Sequence, residues 1–404
     1  MCGIVGFIDN KSIDSKNEII EKMMETIVHR GPNSSGSHVD SQAALGFRRL
    51  SIVDLEGGSQ PIYNEDKTMV ITFNGEIYNH LELREDLISK GHVFTTHADT
   101  EVLLHGYEEY GAELLKKVRG MFAFVIWNTQ TNELFGARDH FGIKPLYYTE
   151  MNGSFIYGSE IKSFLQHPEF KKELNKEALR PFMTFQYSAL DETFFKNVYR
   201  IKEGHYFTYK NGVLEIKQYW DVKDNEKNMS LAETVDLIDK SVQESIDIHK
   251  NADVEVGSFL SSGVDSSYVA TVLRPNKTYS IGFGDKTFNE SVEAKALTDM
   301  IGLKNESRVI EGEESFMNFP LIQYHLDEPD SNPSCVPLFF LSELASRDVR
   351  VVMSGEGADE LFGGYQTYGF YTKSKLIRQT TALLKKLPKK ARFSLASFIN
   401  DKEF

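Results

Sequence analysis

Over roughly the first two hundred residues the apolar positions come in short strand-like runs broken by turn signals, the pattern of antiparallel sheets. MFAFVIW and ELFGARD flank a polar turn. LYYTEM and SFIYGSE flank an Asn-Gly pair, as do HYFTYK and VLEIKQYW, and Asn-Gly accepts the positive φ values of a tight hairpin. Three hairpins are therefore predicted. Ile19, Ile20, Met23, Met24, Ile27 and Val28 recur at helical spacing and stop at Arg30-Gly31-Pro32, so an amphipathic helix should cover one sheet face. A second helix should follow Asp99. Beyond the polar run 221–230, which reads as a linker, the grammar changes. Leu231, Val235, Ile238, Val242 and Ile246 mark a helix, and the strand candidates VEVGSFL, TYSIGF, SRVIEG and VRVVMSG alternate with helical stretches, the sign of a parallel α/β sheet. After Tyr368 the chain is basic and weakly patterned, a solvated helix or a binding surface.

Size and charge narrow the function classes. A chain of 404 residues with 41% hydrophobic content can bury two cores, so two domains are expected, 2–220 and 230–404. A net charge of −14 argues against a nucleic-acid partner held through phosphates. Two cysteines, Cys2 and Cys335, exclude a disulfide scaffold and a cysteine-based structural zinc site, and suit a reducing, cytoplasmic setting. Cys335 reads as a small buried hydrophobe. No stretch approaches the roughly 20 apolar residues of a membrane span. His29, His140 and His325 show no metal spacing.

Cys2 follows the initiator methionine directly, so removal of Met1 would put a thiol and a free α-amine on one residue. An amine with a pKa near 8 can take the thiol proton and return it to a leaving group, so one residue supplies nucleophile and base. An incidental cysteine is the bland alternative. Its context favours chemistry: MCGIVGF, HRGP, RLSIVDL, FNGEIYNH, DTEVLLHGYEEYG, RGMFAF and RDHFGIKPLYY, in that order, resemble the class II glutamine amidotransferases. The resemblance implies an Ntn-hydrolase-like fold, antiparallel sheets layered with helices, in which the Asn74 side chain and the Gly75 N–H form an oxyanion hole. It implies glutamine binding by Arg49 on the α-carboxylate, by Glu76 and Asp99 on the α-ammonium, and by Leu50, Ser51, Ile52 and Val53 in the pocket wall. Taken alone, Asn74-Gly75 could be one more hairpin turn and Asp99 a helix N-cap.

A second loop, Ser261-Ser262-Gly263-Val264-Asp265-Ser266-Ser267, follows a strand and precedes a helix, which is an anion cradle. A serine-rich helix cap would look similar. It is no Walker loop and resembles the pyrophosphate loop of ATP pyrophosphatases, with Ser262 in place of a glycine. TYSIGF and VVMSGEGADELFGGY extend that resemblance. They imply ATP contacts at Leu260, Ser261, Gly263, Asp265, Ser266, Ile281, Gly282, Ser354 and Gly355, catalysis at Glu356, and Mg²⁺ on Asp265 and Asp359. Two carboxylates beside a triphosphate make electrostatic sense with magnesium between them. HLDEPDSNPSCV belongs to the same resemblance without a defined role.

Together the halves resemble the glutamine-hydrolysing asparagine synthetases over roughly residues 1–370. The second domain is then an adenine nucleotide α-hydrolase-like parallel sheet. The implied substrates are L-glutamine, L-aspartate and Mg-ATP, the implied assembly a homodimer, and Arg30 and Met121 match the mouth of an internal ammonia channel. The same resemblance implies a longer second half than this chain carries, so that half is expected to be incomplete. A different carboxylate acceptor, or a silent homologue retaining the folds, is the alternative.

Overall fold

The structure is a computed structural model that describes residues 1–223, 225–284, 289–365 and 368. The basic stretch beyond Tyr368 lies outside the described residues. Twelve strands occupy the first region: β1 (Gly3–Ile8), β2 (Ser34–Val39), β3 (Ala43–Arg49), β4 (Ile62–Tyr63), β5 (Met69–Ile77) and β6 (Gly120–Asn128). They continue as β7 (Glu133–Arg138), β8 (Tyr147–Met151), β9 (Ser154–Gly158), β10 (Val198–Arg200), β11 (His205–Lys210) and β12 (Val213–Gln218). They form two six-stranded antiparallel sheets, ordered β10-β8-β9-β1-β3-β2 and β12-β11-β7-β6-β5-β4. The predicted hairpins are β6–β7, β8–β9 and β11–β12. Asn152-Gly153 and Asn211-Gly212 hold positive φ at all four positions, as their turns require.

The sheets stack face to face, and burial on both faces explains why MFAFVIW is apolar throughout. Ala123, Val125 and Trp127 point from β6 into the layer between the sheets, beside Leu45, Phe47 and Phe155. Phe122, Phe124 and Ile126 point the other way, under α2 (His80–Ser89) and α3 (Asp99–Tyr110). Helix α1 (Ile13–Glu25) covers the opposite sheet with Ile19, Ile20, Met23 and Met24, as their spacing predicts, and a short α4 (Leu179–Phe185) follows later. The result is helix, sheet, sheet, helix, the layering expected of the first half.

The second region runs α5 (Leu231–His249), β13 (Val256–Phe259), α6 (Val264–Leu273), β14 (Lys277–Phe283), α7 (Ser291–Ile301) and β15 (Lys304–Ile310). It continues with α8 (Gly312–Leu326), α9 (Cys335–Ser346), β16 (Val351–Met353) and α10 (Ala358–Phe362). All four strands are parallel, in the order β15-β14-β13-β16. Strand order reverses at β13, so the loops after β13 and β16 open side by side at the carboxyl edge, where ligands of such sheets bind. Cys335 opens α9 and is half-buried, which corrects its assignment to a buried core: the first turn of a helix leaves it partly in solvent. No helix among the described residues is long and apolar enough to cross a membrane.

Trp127 is fully buried, and its indole N–H donates to Asp40 at 2.7 Å. Trp127→Ala should lower unfolding free energy by about 3–5 kcal/mol in denaturant titration.

Candidate active sites

Strand β5 carries Asn74, Gly75 and Glu76 opposite Ala123, Phe122 and Met121 of β6. A Cβ on Gly75 would lie 2.2 Å from the Met121 carbonyl oxygen, so close passage of the two backbones requires glycine here. Asn74 is 1% exposed, and its buried Nδ2 has no hydrogen-bond acceptor among the described residues. A buried donor without a partner is costly unless a ligand satisfies it. This excludes a simple hairpin turn at Asn74-Gly75, because both lie inside a paired strand.

These residues open on a cavity of about 440 Å³ that Cys2 also lines. The Cys2 Sγ accepts the Leu50 N–H at 3.4 Å. Burial pushes the thiol up, and the Leu50 hydrogen bond only partly offsets it, so the sulfur needs a base. Met1 sits in the same cavity, with its Sδ 2.9 Å from Lys144 Nζ. Burial first, then Arg30, draws the Met1 α-ammonium down to about 5. An amine formed at Cys2 would enter surroundings that favour the free base.

Arg49 is buried in the cavity wall and donates to the carbonyls of Leu55, Val53 and Asp54. Those bonds fix the guanidinium, and no ion pair to it occurs among the described residues. Opposite in sign, Glu76 and Asp99 line the same cavity. Burial raises both carboxyls, and the Asp99 charge adds to the rise at Glu76. Asp99 is the first residue of α3 rather than its N-cap, which is Ala98, and its carboxylate accepts the Ile77 N–H at 2.8 Å. A fixed guanidinium, a pair of acids, an unsatisfied amide donor and a thiol around one cavity match an amino acid with a terminal carboxamide. Leu50, Ile52 and Val53 also line it, whereas Ser51 does not: its N–H is held by Asn33 and its carbonyl by Arg350.

Sequence reasoning missed several residues here. Gln60 bonds both the N–H and the carbonyl of Phe73, fixing β5 just before Asn74. Lys144, inside a quoted motif but given no role, is buried in the wall, and burial followed by Arg30 brings it down to about 8. Phe259, Val351 and Val352 close the cavity from the second region. Met121 lines it too, while Arg30 lies behind, donating to the Cys2 carbonyl at 2.9 Å and to Glu160 at 3.0 Å.

The second loop leaves β13 just beyond Phe259. Ser261 and Ser266 share a hydroxyl contact of 2.9 Å, and the Gly263 N–H donates to the Ser261 hydroxyl. The Ser262 N–H donates to Glu290 at 3.3 Å, a carboxylate oxygen standing where an anionic ligand would bind. Gly355, after β16, packs on the first turn of α6, where a Cβ would meet Asp265 and Ser266 at 2.8 Å. Gly282 ends β14 in the same way against Asn289, next to half-buried Ile281. Leu260, just past the end of β13, has a buried side chain, its N–H donates to the Tyr279 carbonyl and its carbonyl accepts from the Ser280 hydroxyl. Ser354 and Glu356 are exposed on the neighbouring loop. Asp265 and Asp359 open α6 and α10, and among the described residues neither carboxylate accepts a hydrogen bond from another side chain. Each offers carboxylate oxygens of the kind a hard divalent cation takes.

The DEP segment, which had no defined role, bridges the regions. Asp327, at the positive φ of 63°, accepts the Ile161 N–H and pairs with Lys162 at 2.8 Å. Glu328 pairs with Arg200 at 2.6 Å and accepts the Phe194 N–H.

Residues 1–220 match the glutamine amidotransferase domain family and residues 237–400 the asparagine synthase family. The chain is 42% identical over 96% of its length to asparagine synthetase (glutamine-hydrolyzing) 1 of Bacillus subtilis, and covers 62% of that protein. It is 34% identical over 90% of its length to asparagine synthetase (glutamine-hydrolyzing) 2 of Oryza sativa, covering 60% of it. A Methanocaldococcus jannaschii protein that carries such a name provisionally is 32% identical over 96% of this chain and 81% of its own length. The chain thus spans about six tenths of the first two relatives.

Glu76→Gln removes a carboxylate whose pKa is raised by folding. Such a group favours the folded state below its unfolded pKa and loses that contribution as pH rises through the folded value. Ligand-free Glu76→Gln should therefore melt higher than the parent at alkaline pH, which thermal scans at several pH values check.

Proposed function

We propose, from the premise that the chain belongs to the family of glutamine-hydrolysing asparagine synthetases, that it carries a glutaminase unit over 2–220 and a synthetase unit over 230–404, working in sequence. The observation that carries the reading is the one cavity that holds Cys2, Arg49, Asn74, Glu76 and Asp99 on one side and Phe259, Val351 and Val352 on the other.

In the first half-reaction Arg49 takes the α-carboxylate of glutamine, and Glu76 with Asp99 takes the α-ammonium, each ligand charge favouring the ionised form of the group it meets. Once Met1 is removed, the Cys2 amine accepts the thiol proton as sulfur attacks the carboxamide carbon. The oxyanion receives the Asn74 Nδ2–H and the Gly75 N–H. The amine returns the proton to the departing nitrogen, ammonia leaves, and water cleaves the glutamyl thioester to glutamate. Ammonia stays unprotonated if it avoids bulk water, and the apolar wall of Phe259, Val351 and Val352 supports a dry route toward the parallel sheet.

In the second half-reaction the loop Ser261–Ser267 cradles the phosphates of ATP, with the nucleoside at Ile281, Gly282, Ser354 and Gly355. Asp265 and Asp359 would hold Mg²⁺, which when bound neutralises phosphate charge. The β-carboxylate of aspartate attacks the α-phosphorus and pyrophosphate departs. Ammonia then attacks the acyl carbon of β-aspartyl-AMP beside Glu356, and AMP leaves as asparagine forms. Two free cysteines, one of them needed as a thiol, support a reducing, cytoplasmic setting.

Protein with a verified Cys2 N-terminus, incubated with glutamine, aspartate and Mg-ATP, should yield glutamate, asparagine, AMP and pyrophosphate by mass spectrometry. Asn74→Ala should lose about 10²- to 10³-fold in glutaminase kcat. Cys2→Ala should make asparagine only from added ammonium, and Asp265→Asn should release no pyrophosphate. Absence of glutamate from the parent would overturn the Cys2 assignment, and glutamate without pyrophosphate would overturn the assignment of the acceptor half.

A further inference from the structure

The outer part of α3, away from Asp99, brings together four donors that neither half-reaction uses: Glu65 from the β4–β5 turn, His92 from the α2–α3 loop, and His105 and Glu108 from α3. One ligand atom from each lies within 4.8 Å of all the others. His105 Nδ1 is 2.9 Å from Glu108 Oε2 and 3.5 Å from Glu65 Oε2. His92 Nδ1 is 3.6 Å from Glu65 Oε1 and 4.0 Å from Glu108 Oε2. Bonds of about 2.0–2.1 Å to nitrogen and oxygen give a tetrahedron with edges of about 3.3 Å, and these separations bracket that edge.

We propose that Glu65, His92, His105 and Glu108 form a structural site for a divalent metal of the zinc class. Both imidazoles turn Nδ1 inward, and each turns Nε2 toward a different carboxylate outside the cluster. For His105 that is Glu101 at 3.6 Å, and for His92 it is Glu109 at 3.7 Å. Outer carboxylates of this kind fix ring orientation and raise ligand basicity. The His105 side chain is fully buried, and its Nε2 has no hydrogen-bond partner among the described residues. Shortening that contact by a small ring rotation is what metal binding at Nδ1 would favour. The carboxylates are held in turn: Asn64 donates to Glu108 Oε1 at 2.7 Å, and Val93 N–H to Glu65 Oε1 at 2.9 Å. Glu101 accepts from both the N–H and the hydroxyl of Thr95 and of Thr96. Two nitrogens and two carboxylates suit zinc over magnesium or calcium, which prefer oxygen alone. The ion would pin a turn and a loop to the helix that begins at Asp99.

The rival occupant is a proton. Burial lowers the His105 pKa, yet the carboxylates of Glu101 and Glu108 beside it push it up to about 9, so a charged imidazole could neutralise the cluster alone. The full chain carrying Cys2→Ala, which removes the thiol as a competing ligand, is stripped with chelator and titrated with zinc sulfate by calorimetry. One equivalent per chain is expected, with Kd below about 1 µM. A rise of several degrees in melting temperature should accompany it. Glu101→Gln should weaken binding about tenfold and His92→Ala at least about 100-fold. Cobalt(II) on the same Cys2→Ala chain, with all four ligands intact, should give the intense visible absorption of a tetrahedral site, a readout that does not depend on how His92→Ala folds. No saturable zinc binding, equal affinity in a folded His92→Ala variant, or a weak octahedral cobalt spectrum would each overturn the proposal.

Discussion

Ionisable groups held in a cavity wall without side-chain partners of opposite charge are the constraint on which the first half depends. Arg49 lines the cavity and donates to main-chain carbonyls, and among the described residues neither it nor Glu76 nor Asp99, which line the same cavity, makes an ion pair. Groups placed this way oppose folding until a ligand meets them, so the scaffold must hold them at its own cost. It does so with rigid parts. β5 runs in register with β6 over all of Met69–Ile77, Gln60 ties down Phe73, and Ile77 N–H fixes Asp99. The aromatic layers on both sides of β6 supply the burial that offsets the strain.

The second region is an extension of the same wall. β13 ends at Phe259 on the cavity and continues within two residues into the Ser261–Ser267 loop, while β16 places Val351 and Val352 on the cavity and Gly355 on α6. Any shift of these two strands moves both sites. The regions are joined by polar contacts: Asp253 with Ile52 and Asp54, Arg350 with Ser51, and the Asp327 and Glu328 pairs. An interface of directed bonds and buried ion pairs fixes orientation more than it adds stability.

Periodicity made the strands and hairpins legible, because an Asn-Gly turn and a doubly buried strand each leave a local mark. MFAFVIW reads as interior, and the parallel arrangement of the second sheet follows from alternation of strands with helices. Most of the cavity-lining residues of the first half lay in contiguous words, RLSIV and FNGE, so their assembly could be anticipated from resemblance. What could not be read was what arrives from far along the chain: Phe259 and Val352 on the cavity, Asp327 beside Lys162, or His92 beside His105. Ser51 shows the reverse limit, since a residue inside a binding motif can turn away when its neighbours need its backbone.

The claim that one cavity recognises glutamine by its two charged ends and delivers it to Cys2 can be tested by covalent trapping. Mature protein is treated with a glutamine analogue bearing a diazoketone in place of the carboxamide, and each of its two cysteines is located by peptide mass spectrometry. A single adduct on Cys2 is expected, prevented by glutamine and not by its methyl ester, which lacks the carboxylate proposed to meet Arg49. Labelling at Cys335, or labelling at Cys2 that glutamine and its ester suppress equally, would contradict it.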